Sequence, residues 1–189
     1  KSMIHFYFFL VGSIVASFLG LVVDRFPEQS IITPASHCNV CGQKLAPRDL
    51  IPVLSQLINR LRCRFCNSKI PIRYILLELT GGCLFLATSL GYLNINRLVL
   101  LAMGMTLSLY DQREQEYPLL IWLIFHIFLL FLTSFNLLMV AFLALGILAH
   151  FVDLRIGAGD FLFLASCSTI FHLTEVLLII QIASIIGLL

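Results

Sequence analysis

Charged side chains are scarce in this chain of 189 residues. Asp, Glu, Lys and Arg together make up 12% of it, whereas 60% is hydrophobic, and the mean hydropathy is +1.01. Soluble globular domains carry about 25% charged residues. The composition therefore excludes a water-soluble globule and predicts an integral membrane protein.

Several catalytic motifs are also absent. The chain has no G-x-S-x-G sequence of a serine hydrolase, no phosphate-binding Walker loop and no H-E-x-x-H zinc protease motif. His126 and His150 lie inside apolar runs, where hydrogen-bonded residues of a helical bundle are expected rather than catalytic bases. These absences disfavour a serine nucleophile, nucleotide hydrolysis and zinc protease chemistry.

Apolar runs occupy most of the chain and predict seven membrane spans. The first is uncharged and, at 1.5 Å per residue, long enough to cross the ~30 Å hydrocarbon layer. We therefore predict an all-α bundle, divided into a first helix (1–23), a polar domain (24–73) and a second helical part (74–189). The predicted spans are Ile4–Val23, Tyr74–Leu93, Leu98–Tyr110, Leu119–Phe135, Leu137–Val152, Phe161–Leu173 and Val176–Leu189.

Two cysteine pairs lie in the polar domain, Cys38 with Cys41 and Cys63 with Cys66. Each C-x2-C pair predicts a tight turn carrying two thiolates, and two such turns can surround a zinc ion. Gly42 supplies a left-handed residue for the first turn, and nearby basic side chains would offset the thiolate charge. Two disulfides are the alternative. The basic side chains are Lys44, Arg62 and Arg64.

The distribution of basic residues fixes the predicted orientation. Lys1 precedes Met3 and is set aside; of the other 11 Lys and Arg residues, ten fall on one side of a seven-span bundle and only Arg97 on the other. Cytoplasmic loops carry the excess of positive charge, so we predict an external N-terminus and a cytoplasmic polar domain. A reducing cytosol favours zinc over disulfides. The ten residues are Arg25, Lys44, Arg48, Arg60, Arg62, Arg64, Lys69, Arg73, Arg113 and Arg155.

Two aspartates stand at the cytoplasmic ends of short predicted spans. Asp111 follows the span that ends at Tyr110, and Asp160 follows Gly157-Ala158-Gly159 and begins another span. A carboxylate at the membrane edge is costly and is a functional candidate. The glycines would let the backbone turn sharply and point Asp160 inward. Two adjacent carboxylates share a proton and can activate water against a peptide bond.

Most other ionisable and cysteine residues have ordinary explanations. We predict a surface ion pair between Asp153 and Arg155, solvent exposure of Glu114 and Glu116, and burial of the lone cysteines as small apolar residues. These cysteines are Cys83 and Cys167.

Several stretches together resemble the type IV prepilin peptidases, most closely the short Gram-positive competence form. The matching stretches are Pro34–Cys41, Leu50–Ser55, Arg62–Cys66, Arg73-Tyr74 with Glu78, Asp111 with Tyr117-Pro118, and Gly157–Asp160. The resemblance covers nearly the whole chain, and the family typically has an eighth span, which would lie beyond Leu189.

This resemblance implies a multi-pass aspartic protease of the bacterial cytoplasmic membrane. Such enzymes remove the short basic leader of prepilins or competence pseudopilins at the cytoplasmic face, and many then N-methylate the new N-terminus with S-adenosylmethionine. Carried over by motif, the catalytic residues are Asp111 and Asp160, and the zinc ligands are Cys38, Cys41, Cys63 and Cys66. The expected partners are the prepilin substrate and membrane lipids, without nucleic acid.

Two other functions are compatible with the residues. Paired C-x2-C motifs also serve membrane thiol oxidoreductases, and a zinc domain on membrane helices can be a non-enzymatic scaffold of a secretion or pilus machine. Zinc content and thiol reactivity separate the first alternative from a zinc protease, and cleavage of a prepilin separates the second.

Overall fold

The structure is a computed structural model that describes residues 2–116, 118–152 and 156–187. Within these residues it contains α-helices and no β-strand, so the all-α prediction is confirmed. A 3₁₀ turn spans Pro47–Leu50. The helices are α1 (Ser2–Arg25), α2 (Leu54–Ile58), α3 (Arg73–Ser89), α4 (Ile95–Glu114), α5 (Leu119–Leu132), α6 (Leu137–Phe151), α7 (Ala158–Ser168) and α8 (Leu173–Gly187).

Seven of these helices overlap the seven predicted spans, and α2 is additional. Among the described residues, only α1 is both long and apolar enough to cross a membrane, whereas α5 to α8 are apolar but shorter. The number of membrane spans therefore stays a prediction. The ion pair predicted between Asp153 and Arg155, and the family motif residue Tyr117, lie outside the described residues.

The end of α3 shows why a helix can be shorter than its apolar run. The run was predicted to continue to Leu93, but the helix ends at Ser89. Gly91 has φ +83, and the N–H of Tyr92 donates to the carbonyl of Ala87 at 3.0 Å. This is a Schellman motif, in which a left-handed glycine satisfies the last carbonyls of the helix.

The chain forms two compact units, Lys1–Leu98 and Val99–Leu189. In the first unit, α1 packs closely against α3 because small residues meet at the contact. A Cβ added at Gly81 would lie 2.8 Å from the carbonyl oxygen of Gly12 and closer still to the Cβ of Ala16. Such small-residue contacts let two membrane helices approach each other closely.

In the second unit, α7 packs against both α5 and α6. On the α5 side, the indole N–H of Trp122 donates to the carbonyl of Leu162 at 2.9 Å, and His126 Nδ1 is 2.8 Å from Ser166 Oγ. On the α6 side, a Cβ added at Gly146 would lie 3.3 Å from a methyl group of Leu162. These contacts fix α7, the helix that carries Asp160, and they confirm His126 as a hydrogen-bonded bundle residue.

Candidate metal centre and candidate catalytic aspartates

The first cysteine pair lies in a tight turn of the first unit. The N–H of Cys38 donates to the carbonyl of Gln43 at 3.0 Å, and the N–H of Gly42 donates to the carbonyl of Cys38 at 2.9 Å. His37 and Lys44 form an antiparallel bridge at the base of the turn. Gly42 has φ +67, so its predicted left-handed conformation is confirmed.

The second cysteine pair repeats this local structure. The N–H of Cys63 donates to the carbonyl of Ser68 at 2.8 Å, and the N–H of Asn67 donates to the carbonyl of Cys63 at 2.9 Å. Arg62 and Lys69 form the antiparallel bridge. Asn67 has φ +58 and occupies the left-handed position that Gly42 occupies in the first turn. Asparagine is among the few other residues that tolerate this conformation.

The two turns bring all four sulfurs together. The Sγ atoms of Cys38, Cys41, Cys63 and Cys66 lie within 4.8 Å of one another, and Cys38 Sγ is 3.8 Å from Cys66 Sγ. Zinc–sulfur bonds of about 2.3 Å in a tetrahedron place two sulfurs about 3.8 Å apart. The cluster therefore fits a structural zinc ion with four thiolates and no open coordination position.

Hydrogen bonds prepare two of the thiols for ionisation. The amide groups of Cys41 and Val40, with the Ser68 hydroxyl, lower the pKa of the Cys38 thiol from 9.0 to about 6. The hydroxyl and the amide of Ser68 also lower the pKa of Cys66. The amide of Gln43 acts in the same direction on Cys41, but burial and the neighbouring sulfurs raise its pKa to about 11. A metal ion would displace this proton on binding.

The basic residues beside the four cysteines differ in their surroundings. Arg64 pairs with Asp49 at 3.1 Å, and its guanidinium lies 4.9 Å from the centre of the Phe65 ring. Its charge is therefore already balanced by a carboxylate. Lys44 and Arg62 lie in the two antiparallel bridges, next to the cysteine pairs. Their role in offsetting thiolate charge stays a prediction.

Asp111 lies in the last turn of α4, in the second unit. The sequence predicted a helix end at Tyr110, but the helix continues to Glu114, and the N–H of Gln115 donates to the carbonyl of Asp111 at 2.8 Å. The side chain of Asp111 is exposed, whereas Tyr110 is fully buried. A helix rather than a loop therefore carries this carboxylate.

Asp160 lies in the first turn of α7, where the positive end of the helix stabilises a carboxylate. The chain bends at Ile156, directly before this glycine stretch. Gly157 has φ −62 and ψ 139, a conformation open to any residue, so the bend does not need a left-handed glycine there. A Cβ added at Gly157 would lie 3.5 Å from Asp160 Oδ2. The carboxylate thus lies back over Gly157 and is exposed rather than turned inward.

The two aspartates belong to the same unit but are not joined by a bond. Neither carboxylate forms a hydrogen bond or ion pair with a residue that the structure describes. Their helices lie near each other at one point, where a Cβ added at Gly104 of α4 would lie 3.5 Å from the ring of Phe163 on α7. The catalytic role of Asp111 and Asp160 remains a prediction.

Two other residues differ from expectation. Cys83 is exposed on α3, so its predicted burial is wrong, whereas Cys167 is buried as predicted.

Glu78 is only 5% exposed within α3, and sequence analysis gave it no role beyond a motif match. The sequence feature that could have marked Glu78 as important is its position as a single carboxylate inside the apolar run Tyr74–Leu93, because an ionisable residue within a membrane span is costly.

Residues 10–92 match the family described as the bacterial peptidase A24 N-terminal domain. Three relatives are each called prepilin leader peptidase/N-methyltransferase. The protein from Myxococcus xanthus (strain DK1622) is 48% identical over 82 residues, covering 43% of this chain and 24% of the relative. The Bacillus subtilis (strain 168) protein is 38% identical over 85 residues, covering 44% and 34%. The Klebsiella pneumoniae protein is 35% identical over 125 residues, covering 59% and 54%.

The resemblance to type IV prepilin peptidases is confirmed. The family match contains the four cysteines, Glu78 and all of α2 and α3, whereas Asp111 and Asp160 lie beyond its last residue. The chain spans between 24% and 54% of the length of these three relatives. No solved structure matches the chain.

Proposed function

We propose that this chain is a membrane aspartic endopeptidase that removes the leader of type IV prepilins or competence pseudopilins at the cytoplasmic face of a bacterial membrane. The names of its relatives support prepilin processing. The observation that carries the aspartic mechanism is the position of the Phe163 ring of α7 beside Gly104 of α4, where an added Cβ would lie 3.5 Å from the ring. Gly104 lies on the helix face that carries Asp111, and Phe163 lies on the face that carries Asp160.

Asp111 shares a helix face with Gly104. The two residues are seven positions apart, which is about two turns and returns to nearly the same direction around the axis. Leu107, between them on this face, is buried. Asp111 therefore projects from the side of α4 that meets α7.

Asp160 likewise shares a face with Phe163, since residues three apart on a helix are neighbours. In the predicted topology, α4 runs towards the cytoplasm and α7 runs away from it. Asp111 then lies about 10 Å along the axis from Gly104, and Asp160 about 4.5 Å from Phe163, in the same direction. Helical Cβ atoms tilt towards the N-terminus, which shifts the two carboxylates towards each other.

The proposed reaction needs one ionised and one protonated carboxyl group. The ionised carboxylate takes a proton from water, whose oxygen attacks the scissile carbonyl carbon, while the protonated partner donates to the carbonyl oxygen. Collapse of this intermediate breaks the carbon–nitrogen bond, and the amine leaves with a proton. The products are the free leader and a new N-terminus.

The N-methyltransferase part of the relatives' names extends the proposal to a second activity. S-adenosylmethionine would supply the methyl group, and the new N-terminal amine would receive it.

Cleavage of a prepilin by the purified protein in detergent or lipid tests the proposal. Asp111→Asn and Asp160→Asn should each abolish leader removal, because an amide can neither ionise nor share the proton. Glu175→Gln is the matched control: Glu175 accepts a hydrogen bond from the N–H of His172 at 2.9 Å, and glutamine keeps that acceptor.

Three outcomes are distinguishable on a gel that resolves precursor from mature prepilin. Full cleavage by either asparagine variant would refute the aspartic mechanism. Absence of cleavage together with no bound zinc and thiols that react without a chelator would favour the thiol alternative. Absence of cleavage by every form of the chain, with zinc bound, would favour the scaffold.

A further inference from the structure

The short helix α2 has its polar side buried and its apolar side exposed. Ser55 and Gln56 are each 7% exposed, whereas Leu54, Leu57 and Ile58 are 48%, 59% and 77% exposed. An amphipathic helix in water shows the opposite pattern. The apolar side of α2 is therefore adapted to a non-aqueous neighbour.

The buried side of α2 attaches to Glu78. One carboxylate oxygen, Oε2, accepts hydrogen bonds from Gln56 Nε2 at 2.6 Å and from the N–H of Val53 at 2.7 Å. The other, Oε1, accepts from Ser17 Oγ on α1 at 2.8 Å. Glu78 thus joins α1, α3 and the segment that leads into α2.

The backbone before α2 depends on this carboxylate. Val53 has φ 61 and ψ −55, and the N–H of Leu54 donates to the carbonyl of Pro52 at 2.6 Å. This is a γ-turn with positive φ, a strained conformation for a β-branched residue. Its N–H group points to Glu78 rather than to solvent, which is how irregular backbone is tolerated at membrane depth.

The hydrogen bonds of Glu78 lie one to two helical turns from the charged ends of α1 and α3. Glu78 is five residues from Arg73 at the start of α3, about 7.5 Å of helix, and Ser17 is eight residues from Arg25 at the end of α1, about 12 Å. Arg73 pairs there with Asp24 at 2.8 Å. If these charged residues mark the membrane surface, α2 is docked one to two turns beneath it.

We propose that Leu50–Ile58 is a re-entrant segment that enters the cytoplasmic leaflet, with its apolar side chains against lipid acyl chains. This inference rests on the proposed membrane location of α1 and α3. Exposed apolar residues lie at the same level on both helices, Phe18 beside Ser17 and Leu79 beside Glu78. The exposed side of α2 would continue this apolar surface.

Charge at the two ends of the segment favours a lipid surface over a protein groove. Arg48 precedes the segment and Arg60 follows it; both are exposed, and neither forms an ion pair with any residue of the described ranges. Basic residues that flank an apolar segment bind anionic head groups. Glu78 then has a defined task, which is to satisfy the backbone and amide groups of a segment that water does not reach.

Tryptophan fluorescence tests this placement in the full chain. Leu57→Trp is made in protein reconstituted into phosphatidylcholine and phosphatidylglycerol vesicles, and the emission of the one native tryptophan, Trp122, is subtracted using the unmodified protein. We expect lipids brominated near the head-group end of the acyl chain to remove most of the added emission. Acrylamide, a quencher in the aqueous phase, should remove little.

Two matched variants make the result decisive. Val40→Trp lies at the exposed tip of the first cysteine turn and should respond to acrylamide and not to brominated lipid, whereas Phe18→Trp on α1 should respond to brominated lipid. Zinc content confirms that each variant is folded.

Quenching of Phe18→Trp by lipid but of Leu57→Trp by acrylamide would overturn the re-entrant segment and leave the membrane bundle intact. Protection of Leu57→Trp from both quenchers would mean that protein covers α2, which also overturns it. Quenching of Phe18→Trp by acrylamide would instead overturn the membrane location itself.

Discussion

The sulfur atoms of Cys38 and Cys66 lie 3.8 Å apart, although 28 residues separate them in the chain. Each belongs to a different turn, so their distance depends on how the whole polar domain folds. It equals the edge of a zinc–thiolate tetrahedron, about 3.8 Å. The metal would therefore tie the two turns together.

The first prediction concerns this metal. Replacing both Cys38 and Cys41 by serine should lower the zinc content from about one ion per chain to none and make the polar domain sensitive to protease. Structural zinc contributes roughly 10–16 kcal/mol to small zinc domains, more than so short a segment can supply otherwise. Atomic emission spectroscopy and limited proteolysis measure the two effects.

Cys83→Ser is the matched control for the metal experiment, because Cys83 is exposed on α3 and does not belong to the cluster. It should keep both the zinc and the protease resistance. Undiminished zinc in the double serine variant would refute the four-cysteine site.

The second prediction concerns the contact between α1 and α3. Gly81→Ala should lower the stability of the protein by about 1–3 kcal/mol, the usual cost of overpacking, since its Cβ would lie 2.8 Å from the carbonyl oxygen of Gly12. Gly104→Ala should be neutral or stabilising. Its Cβ meets only the Phe163 ring at 3.5 Å, and alanine in a helix interior gains roughly 0.5–1 kcal/mol over glycine.

Thermal unfolding of both alanine variants in the same detergent makes this comparison, because the helix propensity gain is common to them. Equal melting temperatures would show that the tight contact between Gly81 and Gly12 does not limit stability.

The third prediction concerns orientation. A cysteine introduced at Gln43 should react with an impermeant thiol reagent only after the membrane is made permeable, whereas one at Ser134 should react in intact cells. Both positions are exposed. Ser68 is a less suitable labelling position than Gln43 because its hydroxyl lies 3.1 Å from Cys66 Sγ. Asn136 is less suitable than Ser134 because its side chain caps α6.

Labelling of the unmodified protein supplies the background from the native cysteines. External labelling at Gln43 would contradict a cytoplasmic polar domain, and with it zinc in a reducing compartment and cleavage at the cytoplasmic face.

The sequence by itself determined the features that depend on neighbouring residues. Continuous apolar runs predict helices because backbone groups in a hydrocarbon layer must bond within the segment, and each of the seven predicted spans overlaps a helix. The cysteine turns were predictable for a similar reason, since Cys38 and Gly42 lie within one turn and its hydrogen bonds are local. The family resemblance rested on these same short stretches.

Only the tertiary structure decided the features that depend on distant partners. The sequence Leu54-Ser55-Gln56-Leu57-Ile58 alone would suggest a helix with a buried apolar side, and the opposite arrangement arises because Gln56 and Val53 bond to Glu78. The side of α4 that carries Asp111 acquires its significance only from the Phe163 ring that lies beside Gly104. Local pattern fixes which residues share a face, whereas the neighbour of that face is chosen by packing between segments far apart in the chain.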